Sequence, residues 1–138
     1  MSDYINPERD RFGTFRKIER DGSVHMLNLI KLKDTASYED GTIVSGKEAY
    51  AAYGRESAPI FEKVGGRIFW SGKFELMLIG PDDETWDVAF IAEYPSAQAF
   101  VDMVKSPDYQ EAAKHRTAAV KTSRLIRLES QPSSGVFG

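Results

Sequence analysis

A chain of 138 residues with a formal net charge of −3, 41% hydrophobic and 28% charged, has the size and balance of one globular domain that buries about two-thirds of its unfolded surface. The slight negative charge, with no basic run interleaved with aromatics, argues against nucleic acid or an anionic membrane as partner. The absence of cysteine excludes disulfides and thiolate chemistry. A polar start (Met1 to Asp10) and no long apolar run point to a cytoplasmic protein without a membrane span.

Asn6-Pro7 has the form of a helix start, with asparagine as cap and proline at the first helical position. Phe12, Phe15 and Ile18 then fall on one stripe, and Asp21-Gly22 is the expected stop. Val24 to Leu32 reads as the first strand. Val24, Met26, Asn28, Ile30 and Leu32 share one face, while His25, Leu27, Leu29 and Lys31 share the other. Asn28 is the polar exception among aliphatic neighbours. Lys33 to Val44 is a turn-rich connection, long for a loop. Ser45 and Glu48 have capping-box spacing. The helix after them carries Tyr50, Tyr53, Ile60, Phe61 and Val64, is expected to kink at Pro59, and stops at Gly65-Gly66.

Arg67 to Gly80 reads as a second strand, bent by a bulge at Ser71-Gly72. The acids between Asp82 and Asp87 lack the spacing of a calcium loop and read as a solvated hairpin. Trp86 to Tyr94 is a third strand, ended by Pro95. Ser96 caps a short helix bearing Phe100, Met103 and Val104. Ser106-Pro107 starts a second helix through Tyr109, Ala112, Ala113, Arg116 and Ala119, with His115 and Arg116 at mid-length. Ser123 to Leu128 is a short last strand, and the tail from Glu129 reads as loosely attached.

Apart from the first helix, the order β-α-β-β-α-β specifies an α+β, ferredoxin-like domain: a four-stranded antiparallel sheet with both helices on one face. The expected organisation is an N-terminal helical extension over 1–22, the domain over 23–128 and a flexible tail over 129–138. Helices cover one side only, yet the strands carry bulky apolar residues on both. Leaving roughly eight of them in water, at about 1.5–3 kcal/mol each, would cost more than ten kcal/mol. A second copy packed face to face is the simplest cover, so a homodimer is expected.

Several segments together resemble the bacterial proteins of the domain-of-unknown-function family 1330, within the dimeric α/β-barrel superfamily. They are Met26-Leu-Asn-Leu, Tyr38-Glu-Asp-Gly, Ser45-Gly-Lys-Glu-Ala-Tyr50, Val64-Gly-Gly-Arg, Ile79-Gly-Pro, Trp86-Asp, Glu93-Tyr-Pro-Ser, Met103-Val-Lys-Ser-Pro-Asp-Tyr and His115-Arg-Thr-Ala-Ala. The resemblance spans about Val24 to Leu128 and implies the same fold and a dimer, without an activity. Some haem-degrading and quinone-forming monooxygenases of this fold use an asparagine on the first strand, a tryptophan on a strand and a histidine on the second helix. Asn28, Trp70 or Trp86, and His115 are of those types on similar elements.

With two histidines, His25 and His115, placed on separate elements, no metal site is expected; nor is any cofactor. His115 is a candidate general base and Asn28 a candidate oxyanion donor. Arg116 is a candidate for bidentate binding of a carboxylate, and Tyr50, Tyr53 and Trp70 for lining a pocket. These residues suggest a small anionic or aromatic metabolite bound between sheet and helices. The alternatives are a cofactor-free monooxygenase or isomerase, and an interaction dimer without a ligand.

Overall fold

The computed structural model describes residues 3–132 and 135–137. The elements run α1 (Arg9–Lys17), β1 (Val24–Leu32), β2 (Thr35–Ser37), β3 (Ile43–Ser45), α2 (Gly46–Lys63), β4 (Arg67–Gly72), β5 (Val88–Tyr94), α3 (Ala97–Lys105), α4 (Pro107–Ala119) and β6 (Val120–Leu128). The main sheet has the order β4-β5-β1-β6, and every pairing in it is antiparallel. That is the ferredoxin-like order, with β1 and β5 as central strands.

The core lies between the sheet and the helices. Val24, Met26, Ala92 and Tyr94 from the central strands meet Phe100 and Met103 of α3, all buried. The caps follow the residue chemistry: Ser45, Ser96 and Ser106 each accept a hydrogen bond from the backbone N–H three residues on. Gly65 ends α2 at φ +85°. The helix is unbroken through Pro59.

Four local expectations give way. α1 begins at Arg9 without a side-chain cap, because the residues before it run extended, with the carbonyls of Tyr4 and Ile5 bound by Ser123 and Arg116. It ends at Lys17, and Ile18 is exposed, so its apolar contacts are made by Phe12 and Phe15, tilted against Phe100. The connection after β1 is a small β2–β3 hairpin that buries Ala36. β4 stops at Gly72 and its irregularity falls between Ile68 and Trp70, leaving Leu76, Leu78 and Ile79 71–91% exposed beyond it. The acidic turn is partly engaged, since Glu84 pairs with Arg124 and Asp87 accepts from the Leu32 N–H. Of the tail, Val136 and Phe137 are exposed, and Ser133, Ser134 and Gly138 lie outside the described residues. Among the described residues no helix is long and apolar enough to cross a membrane.

The register fixes the two sheet faces. Leu27 opposes Ile91 and Ile126, and Trp70 also opposes Ile91, so these side chains share the face away from the helices. His25 and Glu93 lie on that face as well. His25 Nε2 stands 2.8 Å from Glu93 Oε2, an ion-pair distance without hydrogen-bond geometry. The Arg67 guanidinium, bonded to the same carboxylate, is the main cause that holds Glu93 below the usual carboxylate range.

Two glycines give opposite predictions. A Cβ at buried Gly46 would lie 1.8 Å from the Lys33 carbonyl oxygen, so Gly46→Ala is expected to lower the unfolding free energy by about 1–3 kcal/mol in urea titration. Gly13, inside α1 with open space around it, is expected to gain about 0.5–1 kcal/mol on Gly13→Ala.

Candidate functional site

A cavity of about 1190 Å³ lies between the helix-facing side of the sheet and α1, α2 and α4. Its wall brings together four of the side chains singled out in the sequence: Asn28, Tyr50, Tyr53 and Arg116. Met26 and Phe90 supply the apolar floor, and residues Asp3 to Glu8 form one side as an extended strap.

The phenols sit in one corner. Tyr53 and Tyr109 join hydroxyl to hydroxyl at 2.8 Å, linking α2 to α4, and the Tyr50 and Tyr53 rings stand 5.6 Å apart. Burial pushes the Tyr50 phenol up to about 12, against the pull of the Arg116 charge. Burial, and then the Tyr109 hydroxyl, raise Tyr53 well above its ordinary value. Both phenols therefore remain neutral donors across the physiological range.

Arg116 joins this corner from α4. It donates to the Ile5 carbonyl and, at 3.3 Å, to Ser123 Oγ, which in turn donates to the Tyr4 carbonyl at 2.7 Å. Arg127, also on the wall, stacks over the Phe15 ring at 4.6 Å and donates to the Phe15 carbonyl at 2.9 Å. Its Nη2 is buried and takes no partner among the described residues. Burial is the main cause lowering its pKa. Neither guanidinium is paired with a carboxylate among the described residues, where six other ion pairs form. Asn28, also on the wall, donates from Nδ2 to the Met26 carbonyl on its own strand at 3.0 Å.

Trp70 and His115 are elsewhere. The irregularity in β4 puts Trp70 on the far face of the sheet, 54% exposed, with its indole lying against Gly72. His115 does not face Asn28. Neighbouring helix positions point about 100° apart, so Arg116 takes the cavity and His115 the outer side, against the β2–β3 hairpin. There its Nε2 lies 2.6 Å from Glu56 Oε2 and its Nδ1 2.6 Å from the Tyr38 hydroxyl. Arg127, Tyr109, Tyr38 and Glu56 were not singled out in the sequence as site residues. Tyr109 and Glu56 carried a signal, at inward and outward helical phase opposite residues already chosen. Arg127 carried none beyond its strand alternation.

An α+β domain with this strand order and a cavity beneath its helices defines a ferredoxin-like protein. Residues 41–129 match the family model described as domain of unknown function (DUF1330), and the chain belongs to that family. The matched segment begins after β1, so Met26-Leu-Asn-Leu lies outside it. The chain is similar to RPA0582, a protein of unknown function from Rhodopseudomonas palustris, with 55% identity over 96% of this chain and 100% of that one, at a TM-score of 0.92. The crystal structure of methylated RPA0582 gives 54% identity, coverage of 97% and 99%, and a TM-score of 0.94. A point mutant of SnoaB, a cofactor-independent oxygenase from Streptomyces nogalater, shares the fold at 16% identity, 83% and 98% coverage and a TM-score of 0.51. No curated protein matches.

The buried phenols predict an alkaline limit. A phenol whose folded pKa lies above its unfolded 10.0 contributes stability that is complete below about pH 10 and lost as pH rises through about 12. Urea titrations across that window are expected to lose on the order of 1–3 kcal/mol from Tyr50, and the loss should shrink in Tyr50→Phe.

Proposed function

We propose that the protein is a homodimer that binds a small aromatic anion in the cavity between sheet and helices. The observation that carries this is the pair of guanidinium groups, Arg116 and Arg127, which line the cavity beside Tyr50, Tyr53 and Phe90 and, among the described residues, pair with no carboxylate, although Asp3, Glu8 and Asp87 also line it. Both are half-buried, and a cation partly withdrawn from water gains from a counterion. An aromatic carboxylate would supply the charge, accept from a guanidinium fork, and stack its ring among Tyr50, Tyr53 and Phe90. Neutral phenol donors and the Asn28 amide oxygen would then read hydroxyl groups on the ring. The cavity, at about 1190 Å³, exceeds the usual range of about 300–1,000 Å³ for small-molecule sites, which leaves room for a ligand of more than one ring.

The dimer rests on the far face of the sheet. Phe69 and Trp70 are 49% and 54% exposed, Ile126 and Leu128 43% and 41%, and Leu27 and Ile91 are only half-buried. A contiguous apolar surface of this kind marks an interface. Because it is made from a sheet, a second sheet of the same twist covers it with closed two-fold symmetry. The exposed Leu76, Leu78 and Ile79 extend from its edge and would lie along the second copy.

Calorimetry with a set of benzoates, naphthoates and quinone carboxylates tests the ligand. At least one is expected to bind, and Arg116→Gln to weaken it by about tenfold or more, roughly 1.4 kcal/mol. Binding that survives both Arg116→Gln and Arg127→Gln would overturn the anion assignment. For the assembly, light scattering at micromolar concentration is expected to give twice the chain mass of 15.5 kDa. A monomer mass would overturn the dimer, and Trp70→Glu is expected to shift the population toward monomer.

A further inference from the structure

The geometry points to a second site, separate from the central cavity, in which Glu56, His115 and Tyr38 form a proton relay for enolisation of a small carbonyl compound. The three side chains come from three places in the fold. Glu56 projects from α2, His115 from α4, and Tyr38 from the turn that follows β2. The placement is built by small residues: Ala36, Ala49, Ala118 and Ala119 form a buried cluster that lets the hairpin lie close against both helices. A tight turn then aims Tyr38. Its N–H donates to the Thr42 carbonyl at 2.9 Å, and Gly41, at φ +91°, donates back to the Tyr38 carbonyl at 3.0 Å.

The neighbours determine the proton positions. A carboxylate only accepts, so Glu56 Oε2, 2.6 Å away, requires the proton of the neutral imidazole on Nε2. Nδ1 is then an acceptor, and the Tyr38 O–H donates to it at 2.6 Å. The rings meet edge-on at 79°, which brings the hydroxyl to Nδ1 from the side of the imidazole. Carboxylate, imidazole and hydroxyl in this order is the arrangement by which a base removes a proton from an oxygen. Tyr38 and His115, both half-buried, line a groove of about 490 Å³ with Val44, Ala52, Arg55 and the carboxylates Asp40 and Glu48.

Tyr38 is the relay's end in the groove. Burial, and then the charges of Glu56 and Asp40, raise its pKa, so it stands as a neutral phenol that transfers a proton rather than as a phenolate. With a ketone or 2-oxo acid in the groove, a proton on the carbon next to the carbonyl passes to Tyr38 Oη. The Tyr38 proton passes in turn to His115 Nδ1, giving an imidazolium held by Glu56. The C–H electron pair becomes the C=C bond of an enolate, and the carbonyl pair moves to the oxygen, opposite the Arg55 cation. Return of the proton to carbon or to oxygen completes an exchange or a tautomerisation. No electrons enter or leave, and no co-reactant is needed. Tyr38 is the catalytic residue here, His115 its base, and Glu56 a positioning residue.

Solvent deuterium exchange tests this. Full-length protein in D₂O with pyruvate, 2-oxobutyrate or dihydroxyacetone is followed by loss of the proton signal next to the carbonyl. Exchange above the buffer rate is expected with at least one of them, and Tyr38→Phe and His115→Asn are each expected to lower it by about a hundredfold or more. Exchange no faster than buffer for all three, or a wild-type rate in folded Tyr38→Phe, overturns the proposal. Nitrogen-15 spectra of His115 in the unaltered protein need no variant to fold. They are expected to show a protonated Nε2 and an unprotonated, hydrogen-bonded Nδ1, with mixed tautomers in Glu56→Gln. A proton found on Nδ1 of the neutral ring in the wild type would overturn the relay.

Discussion

All four helices lie on one side of a four-stranded sheet, and that one-sidedness governs the rest of the molecule. Strand side chains alternate, so β1 sends Val24, Met26 and Ile30 into the core and Leu27 and Leu29 away from it. The helix side is closed enough to contain a cavity, while the other side ends in half-exposed aliphatics and a tryptophan. With burial worth about 1.5–3 kcal/mol per large apolar side chain, the uncovered face represents a substantial fraction of the roughly 5–15 kcal/mol by which a domain is normally stable. One constraint, the lack of a second helical layer, thus yields both an internal cavity and a half-exposed apolar face.

The helix α4 divides the functional groups. Its buried positions are alanines, Ala112, Ala118 and Ala119, so it contributes little volume and allows close approach of the sheet on one side and the β2–β3 hairpin on the other. A bulkier helix would fill the space that Tyr109 and Arg116 now occupy with polar chemistry. Because His115 and Arg116 are adjacent in sequence, helical geometry forces them into different compartments. The cation faces phenols and the cavity; the imidazole faces a carboxylate and a phenol at the groove.

Legibility in the sequence follows the same division. Strand alternation, serine caps and proline or glycine breaks are local, and β1, β5 and the three capped helices were readable to within a residue or two. What failed were features decided by distant contacts. α1 starts late because Arg116 and Ser123, more than a hundred residues away, hold the preceding backbone extended. Trp70 changes face because the irregularity comes earlier than Ser71-Gly72 suggested, and a one-residue slip inverts a strand's faces. Asn28, Tyr50, Tyr53 and Arg116 were recognisable as cavity residues from their phase on their elements. Of the partners of His115, Tyr38 was not, since it sits in a segment that reads as loop, and Glu56 was marked only by its outward phase on α2.

The strap from Asp3 to Glu8 connects these points. Arg116 is held by neutral main-chain and hydroxyl acceptors, which satisfy its donors without cancelling its charge. The strap residues are largely exposed apart from Ile5, and their anchorage comes down to two carbonyls and the Tyr4 ring over which Arg124 sits at 4.9 Å. Losing a single carbonyl from Arg116 would sacrifice about 1.5–3 kcal/mol of charged hydrogen bonding. The strap therefore satisfies donors of a cation that has no carboxylate partner among the described residues. The guanidinium that lines the cavity thus also ties down the segment in front of it, through the Ile5 carbonyl.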